Sequence, residues 1–401
     1  MKALVICYDG MADRPYPPLG NHTPMELAKK PALDGLAHSS LIGTVLNVPH
    51  GMVPESDTAN LAILSYDPRV YSKGRSPLEA MAMGLSMLPE DTALRCNVVT
   101  LTEEEPYEEK TILDHSAGEI STEEARELIE ALDRAFGNEE RRFYTGVSYR
   151  HCILWKNASD NYPFCRPHDI LGRKIGDYLP RGEEGKPFFD LMKQSYEILN
   201  HHPVNEKRRA KGLPVANSAW LWSPGKKPAL PSFKEKWNKD ATIISAVDLI
   251  KGIGICAGME VVHIPGATGN LHTNYRGKAE AAIDAFRRGK DMVYIHVEAP
   301  DECGHQGDAA GKIKSIELID EKILAPLLTY LRETGELFRI LALPDHPTPL
   351  ALRTHSEEPV PYLLYDSEEP HQGVNTFTEK TAEEAGDYLP DGTALMGMLF
   401  R

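Results

Sequence analysis

Short, almost wholly apolar runs recur at both ends of this chain, and most of them stop abruptly at a residue able to do chemistry. Residues 3–8 read as a buried strand ended by Asp9-Gly10. Residues 291–298 and 337–343 read as strong strands, followed by Asp301 and by Asp345-His346. Between such runs lie helical stretches: 25–38, with Thr23 as N-cap ahead of Pro24, then 56–65, 246–256, 274–289 and a long one at 309–334. Further strands are expected at 41–48, 241–246 and 259–263. Strand and helix in alternation demand a parallel sheet covered by helices.

The middle of the chain breaks this rhythm. Strands are expected at 94–101 and 151–155, an acidic helix at about 121–136 and another helix at 188–199, with a segment at 156–187 rich in Pro, Gly and charge. Trp220 and Trp222 alternate as one face of a strand and read as core. With 401 residues, the chain suits two or three domains. The expected organisation is a discontinuous core of 1–87 and 231–401, interrupted by an inserted α+β domain at 88–230.

In open α/β sheets the carboxyl ends of the strands form the ligand crevice, so residues distant in sequence meet there. Asp9, Ser56, Asp301 with His305, and Asp345-His346 all occupy such positions, and His355 follows close behind. The number suits two metal ions. Asp301, His305 and His355 could hold one; Asp9, Asp345, His346 and the Ser56 oxygen could hold the other. Gly304 is expected to supply a tight turn that aims Asp301 and His305 at one point. Asp345 and His346 must sit in the turn after their strand, because neighbours on a strand face opposite ways. Nitrogen and oxygen donors without thiolate suit Mn²⁺ best, then Zn²⁺ or Mg²⁺. Cys303, inside the Asp–His pair, is expected to be packing.

Net charge enters here. Lys and Arg total 44 against 59 Asp and Glu, so 44 − 59 = −15, which argues against a nucleic-acid partner. At the site, three carboxylates against two divalent ions leave roughly +1, enough to attract a phosphate. Ser56, at a helix start and beside a metal, would be activated as a nucleophile for phosphoryl transfer. The six cysteines are scattered, as in a reduced, cytoplasmic protein. No stretch approaches the ~18 apolar residues of a membrane helix. The oligomeric state is not legible.

The motifs Asp9-Gly10-Met11-Ala12-Asp13-Arg14-Pro15, Leu19-Gly20-Asn21-His22-Thr23-Pro24, Pro54-Glu55-Ser56-Asp57-Thr58-Ala59 and Gly74-Arg75-Ser76-Pro77-Leu78-Glu79-Ala80 stand in one order with four others. Those are Tyr149-Arg150-His151, Pro167-His168-Asp169-Ile170, Asp248–Gly254 and Gly266-Ala267-Thr268-Gly269. Over nearly its whole length the chain resembles the archaeal-type cofactor-independent phosphoglycerate mutases, within the alkaline phosphatase superfamily. The resemblance implies an alkaline-phosphatase-like core, its mostly parallel sheet sandwiched by helices, and an insert that closes over the substrate. It implies a mutase interconverting 3- and 2-phosphoglycerate through phospho-Ser56, with two divalent metals and no 2,3-bisphosphoglycerate. It implies the two ligand sets given above.

Two segments depart from the family pattern. Glu55 stands where a Gly usually precedes the nucleophile, and Asp114-His115-Ser116-Ala117-Gly118-Glu119 replaces an Asp-Arg-Arg-Ala-Gly-Arg segment. Guanidinium is the usual bidentate partner of carboxylate and phosphate. The loss of three keeps an alternative open: a homoserine kinase-like phosphotransferase or a phosphatase on the same metal–Ser site. Asp114 or His115 is a candidate general acid/base, or else part of a surface turn; Arg75, Arg95, Arg150 and Arg208 are candidates for holding the anionic substrate.

Overall fold

The computed structural model describes all 401 residues, and the chain divides into two compact units, Met1–Ser72 with Ala229–Arg401, and Lys73–Pro228. The first boundary falls earlier than the expected residue 87. The cause is the helix Ser76–Ala82, which belongs with the insert: Glu79 accepts a bidentate pair from Arg95, and the Ser76 hydroxyl donates to the Ser223 carbonyl.

The discontinuous unit is built on β1 (Lys2–Tyr8) and β2 (Ser40–Val45). The insert contributes β3 (Asp91–Leu101), β4 (Ile112–Asp114), β5 (Arg141–Val147), β6 (Arg150–Lys156) and β7 (Ser218–Lys226). The chain then returns to the first sheet with β8 (Ala241–Ile244), β9 (Glu260–Val261), β10 (Met292–Val297), β11 (Phe338–Leu343), β12 (Val360–Asp366) and β13 (Asp387–Leu389).

The larger sheet runs β13-β2-β12-β11-β1-β10-β8-β9. β1 pairs in parallel with both β10 and β11, and β10 with β8. β12 alone runs antiparallel, between β11 and β2. The sheet is therefore mostly parallel, with helices packed against it. Its central strands are apolar on both faces: every residue of β10 and all of β1 after Lys2 are buried, as two covering helical layers require. The second unit is a five-stranded antiparallel sheet about the long strand β3, covered by the helices Thr122–Phe136 and Gly182–Leu199 around its own core. Trp220 and Trp222 are buried in that core.

Two expected helices are interrupted. The stretch 25–38 is two helices, Pro24–Leu27 and Pro31–Ala37, because Pro31 excludes the helical conformation at Lys30. Thr23 does cap the first, with Glu26 returning the bond. The stretch 309–334 is helical throughout but widens into a π turn at Asp320–Leu324, between Ala309–Ile319 and Ala325–Thr334. The turn brings buried Asp320 to the free N–H groups of Ala32 and Leu33, at 3.1 and 2.7 Å. No helix is long and apolar enough to cross a membrane.

Candidate active site

Four strand ends and helix starts of the first unit converge. β1 stops at Tyr8 and delivers Asp9, which is 1% exposed. Gly10 follows with φ +63°, and a Cβ there would lie 2.5 Å from Thr348 Oγ1 and 2.6 Å from Asp301 Oδ1. Glycine is needed at this point for conformation and for space. Its N–H donates to Asp345 Oδ1 at 3.1 Å.

β11 ends at Leu343, so Asp345 and His346 lie in the following bend, both buried. Asp345 is held on both oxygens: Oδ1 accepts from the N–H groups of Gly10 and His346, and Oδ2 accepts from the Asn60 amide at 2.9 Å. Ser56 opens the helix Ser56–Ile63, where unsatisfied backbone N–H groups favour negative charge. Ser56 Oγ lies 3.1 Å from His346 Nε2.

Asp301 and His305 sit one helical turn apart in the helix Ala299–Gln306, not in a turn as expected. Gly304 serves close packing: a Cβ would lie 2.6 Å from the Thr348 carbonyl oxygen. His305 Nε2 and His355 Nε2 each stand 3.3 Å from Asp301, and the two nitrogens are 3.0 Å apart. Cys303 is buried beside Gly311 as packing.

These donors fit metal ions, and the hydrogen bonds say why. His305 Nδ1 faces the Arg353 carbonyl and His355 Nδ1 the Pro54 carbonyl. Each Nδ1 therefore carries the proton, which turns the two Nε2 lone pairs toward each other and toward the Asp301 oxygens. Such a set of electron-rich atoms suits a cation between them. Asp9, Asp345 and His346 form a second group whose ligand atoms lie within 4.8 Å of one another. Asp9 Oδ1 is buried and completes no hydrogen bond. Burial, then the charges of Asp345 and Asp301, push the Asp9 carboxyl well above its usual value. Without cations these carboxylates repel.

Three residues of this region escaped the sequence. His296, in the interior of β10, lies 3.1 Å from Asp9 Oδ2, and burial pushes it down to about 4. Asn60 sits one turn beyond Ser56 and bonds both the Ser56 carbonyl and Asp345. Thr348 donates to Asp301. A fully polar side chain inside an otherwise apolar strand, as at His296, was the available signal.

The candidates on the other unit are differently placed. Asp114 accepts from the Ser116 N–H, the Ser116 hydroxyl and the Gly118 N–H, each at 2.7 Å. Burial pushes its carboxyl up, but these donors outweigh that and hold it below the usual value. His115 meets Tyr149 and His168 edge-on, with ring centroids 5.5 and 6.0 Å apart. Arg95 is paired with Glu79 and stacked over Trp222. Arg208 corrects an expectation. It is 3% exposed and donates to Glu124 and to the Pro214 and Ala117 carbonyls, so it holds the 114–119 loop from inside. Arg75 is half-buried at the start of the helix Ser76–Ala82, and Arg150 is exposed over Tyr149.

Comparison with known proteins bears on this geometry. A family model described as 2,3-bisphosphoglycerate-independent phosphoglycerate mutase matches residues 37–205. The protein of that name from Methanosarcina barkeri is 46% identical over 403 residues, covering 100% of both chains. A probable one from Geobacter sulfurreducens is 44% identical, covering 100% of this chain and 99% of its own. Among solved structures, a protein from Pyrococcus horikoshii superposes with a TM-score of 0.82 at 28% identity, over 99% of this chain and 96% of that one. The cofactor-independent phosphoglycerate mutase of Thermoplasma acidophilum gives 0.70 at 27% identity, over 100% and 99%. Full-length identity at this level, with Ser56 beside two clusters of carboxylate and imidazole, places the chain in the family of 2,3-bisphosphoglycerate-independent phosphoglycerate mutases.

Proposed function

We propose that this protein interconverts 3-phosphoglycerate and 2-phosphoglycerate by way of a phosphorylated Ser56, without 2,3-bisphosphoglycerate. The observation that carries the proposal is the Ser56 hydroxyl at the start of a helix and 3.1 Å from His346, against two groups of metal-type donors. Asp9, Asp345, His346 and Ser56 would hold one divalent ion, and Asp301, His305 and His355 the other. Their nitrogen and oxygen donors suit Mn²⁺, with Zn²⁺ or Mg²⁺ as substitutes. When bound, such ions lower the pKa of the Ser56 hydroxyl and neutralise phosphate charge.

The residues of the chain do the rest. Ser56 Oγ gives up its proton and forms a bond to phosphorus as the bond to the glycerate oxygen breaks, and that oxygen takes a proton. The glycerate then turns without leaving; its other hydroxyl gives up a proton and takes the phosphoryl group back as the bond from phosphorus to Ser56 Oγ breaks, and Ser56 Oγ regains a proton. The Ser56 end of its helix favours the negative charge on phosphate throughout. Of the two candidates for moving the glycerate protons, His115 is better suited than Asp114, whose oxygens are already engaged by Ser116 and Gly118. Arg75, Arg95 and Arg150 remain the candidates for holding the carboxylate or phosphate.

Protein purified with Mn²⁺ should convert 3-phosphoglycerate to 2-phosphoglycerate with no added bisphosphoglycerate, followed by ³¹P NMR. Acid-quenched enzyme should carry phosphate on Ser56. Metal-loaded protein lacking both properties would refute the proposal.

A further inference from the structure

β10 supports the carboxylates of the site from behind. Tyr294 and His296 are two residues apart, so they project to one face of the strand, and both are fully buried. The Tyr294 hydroxyl donates to Asn60 Oδ1. With that oxygen taken, the Asn60 amide must turn its NH₂ the other way, where it meets Asp345 Oδ2 at 2.9 Å and the Ser56 carbonyl at 2.8 Å. One side chain thus ties the helix that bears Ser56 to the carboxylate of Asp345.

The second arm runs through His296. Its Nδ1 lies 3.3 Å from Ser245 Oγ, which itself accepts from the Val247 N–H at 3.0 Å. A hydroxyl anchored as an acceptor there has its proton to give to Nδ1. The imidazole then carries its own proton on Nε2, which lies 3.1 Å from Asp9 Oδ2. His296 Nε2 is a buried polar atom that completes no hydrogen bond, and Asp9 Oδ2 at 3.1 Å lies nearer to it than Asp345 Oδ2 at 4.0 Å.

We propose that Tyr294, through Asn60, and His296, backed by Ser245, are positioning residues that set the orientations of Asp345 and Asp9 for one divalent ion. This rests on the ligand assignment under the proposed function. A carboxylate whose rotation is fixed beforehand presents its oxygens at lower entropic cost, and partners of this kind typically contribute 10–100-fold in metal affinity.

The test is Mn²⁺ titration of metal-stripped, full-length protein, following free Mn²⁺ by EPR. Wild type should bind, and D345A should lose a site. H296F and Y294F should weaken that site by about 10–100-fold. H296Q keeps an N–H able to reach Asp9 and should hold affinity within about threefold of wild type. A merely volume-filling histidine would make H296Q no better than H296F, and that result would overturn the proposal. Unchanged affinity in both H296F and Y294F would overturn it alone. Failure of wild type to bind Mn²⁺ would overturn the ligand assignment with it. Should H296F not fold, S245A removes a single oxygen and frees the imidazole tautomer. It should still weaken Mn²⁺ binding, and unchanged affinity there would refute the arm through His296.

Discussion

The charged side chains at the candidate site of one unit and those inside the other are treated differently. In the unit formed from both chain ends, Asp9, Asp301 and Asp345 are buried within reach of one another and of four histidines, and Asp9 Oδ1 is left without a hydrogen bond. In the Lys73–Pro228 unit, Arg208 is enclosed by Glu124 and two carbonyls, Arg95 by Glu79 and Trp222, and Asp114 by three donors. A charge whose partners come from its own fold stabilises that fold. Like charges gathered this closely cost stability and mark a site where something else can bind.

The largest expected effect tests the unpartnered side of this contrast. Ser56→Ala should reduce mutase activity to the background of the assay, because the oxygen that would take up the phosphoryl group is removed. Circular dichroism and melting temperature should be nearly unchanged, since Ser56 is half-buried and is not the N-cap residue of its helix, which is Glu55. Retained activity would mean that the convergence around Ser56 is structural.

Removal of divalent ions comes next. Stripping them should destabilise the protein, and restoring Mn²⁺ at a hundred times its dissociation constant should return about 2.7 kcal/mol per site. Hydrogen exchange can locate the change. Amides after Asp9, Asp345 and Asp301 should gain protection, while β3, β6 and β7 should not respond directly. Equal protection of both sheets would erase the distinction between the units.

Arg208 and Arg150 give the converse test. Arg208→Met deletes charge-assisted bonds inside the insert and should cost about 2 kcal/mol in urea unfolding. Arg150 is exposed, so Arg150→Met should change stability by no more than about 0.5 kcal/mol. If Arg150 holds substrate, its variant should raise KM while the folded Arg208 variant leaves KM near that of wild type. The reverse pattern would exchange the two roles.

Much of the first unit was legible because its strands advertise themselves. An apolar run buried on both faces ends where the first obligate polar residue appears, and Asp9 and Asp345 mark those ends. β12 was not legible in this way, since nothing in Val360–Asp366 announces an antiparallel strand between β11 and β2. Nor was the first boundary of the insert: Glu79 belongs to it through an ion pair with Arg95, a contact invisible along the chain. His296 and Asn60 were missed for a related reason. A polar residue inside an apolar element looks like an accident until its partner is known, and Asp9 and Asp345 lie hundreds of residues from them or at the opposite end. Arg208 failed in the other direction, because residue type suggests a ligand for anions but does not say whether a glutamate is nearer.

The effect expected to be smallest at pH 7 concerns a buried histidine with no charge nearby to share. His151, on β6, is 4% exposed and accepts the Gly146 N–H on Nδ1 at 3.1 Å. Burial pushes its pKa down from 6.5 to about 3. Above pH 6.5 the ring is neutral in both the folded and unfolded chain, and it adds no pH dependence. Below 6.5 the unfolded chain takes up a proton that the folded one refuses, so stability falls with acidification until about pH 3. The slope should approach about 1.4 kcal/mol per pH unit below pH 6. His151→Asn keeps an acceptor near Gly146 but cannot be protonated. Urea unfolding of the full chain should therefore show near-equal stabilities at pH 7 and a growing advantage for the variant at pH 6 and pH 5. Taking the difference removes titrations elsewhere, including those around Asp9 and Asp301. Parallel curves would mean that His151 protonates in place, and that the insert tolerates an unpartnered charge after all.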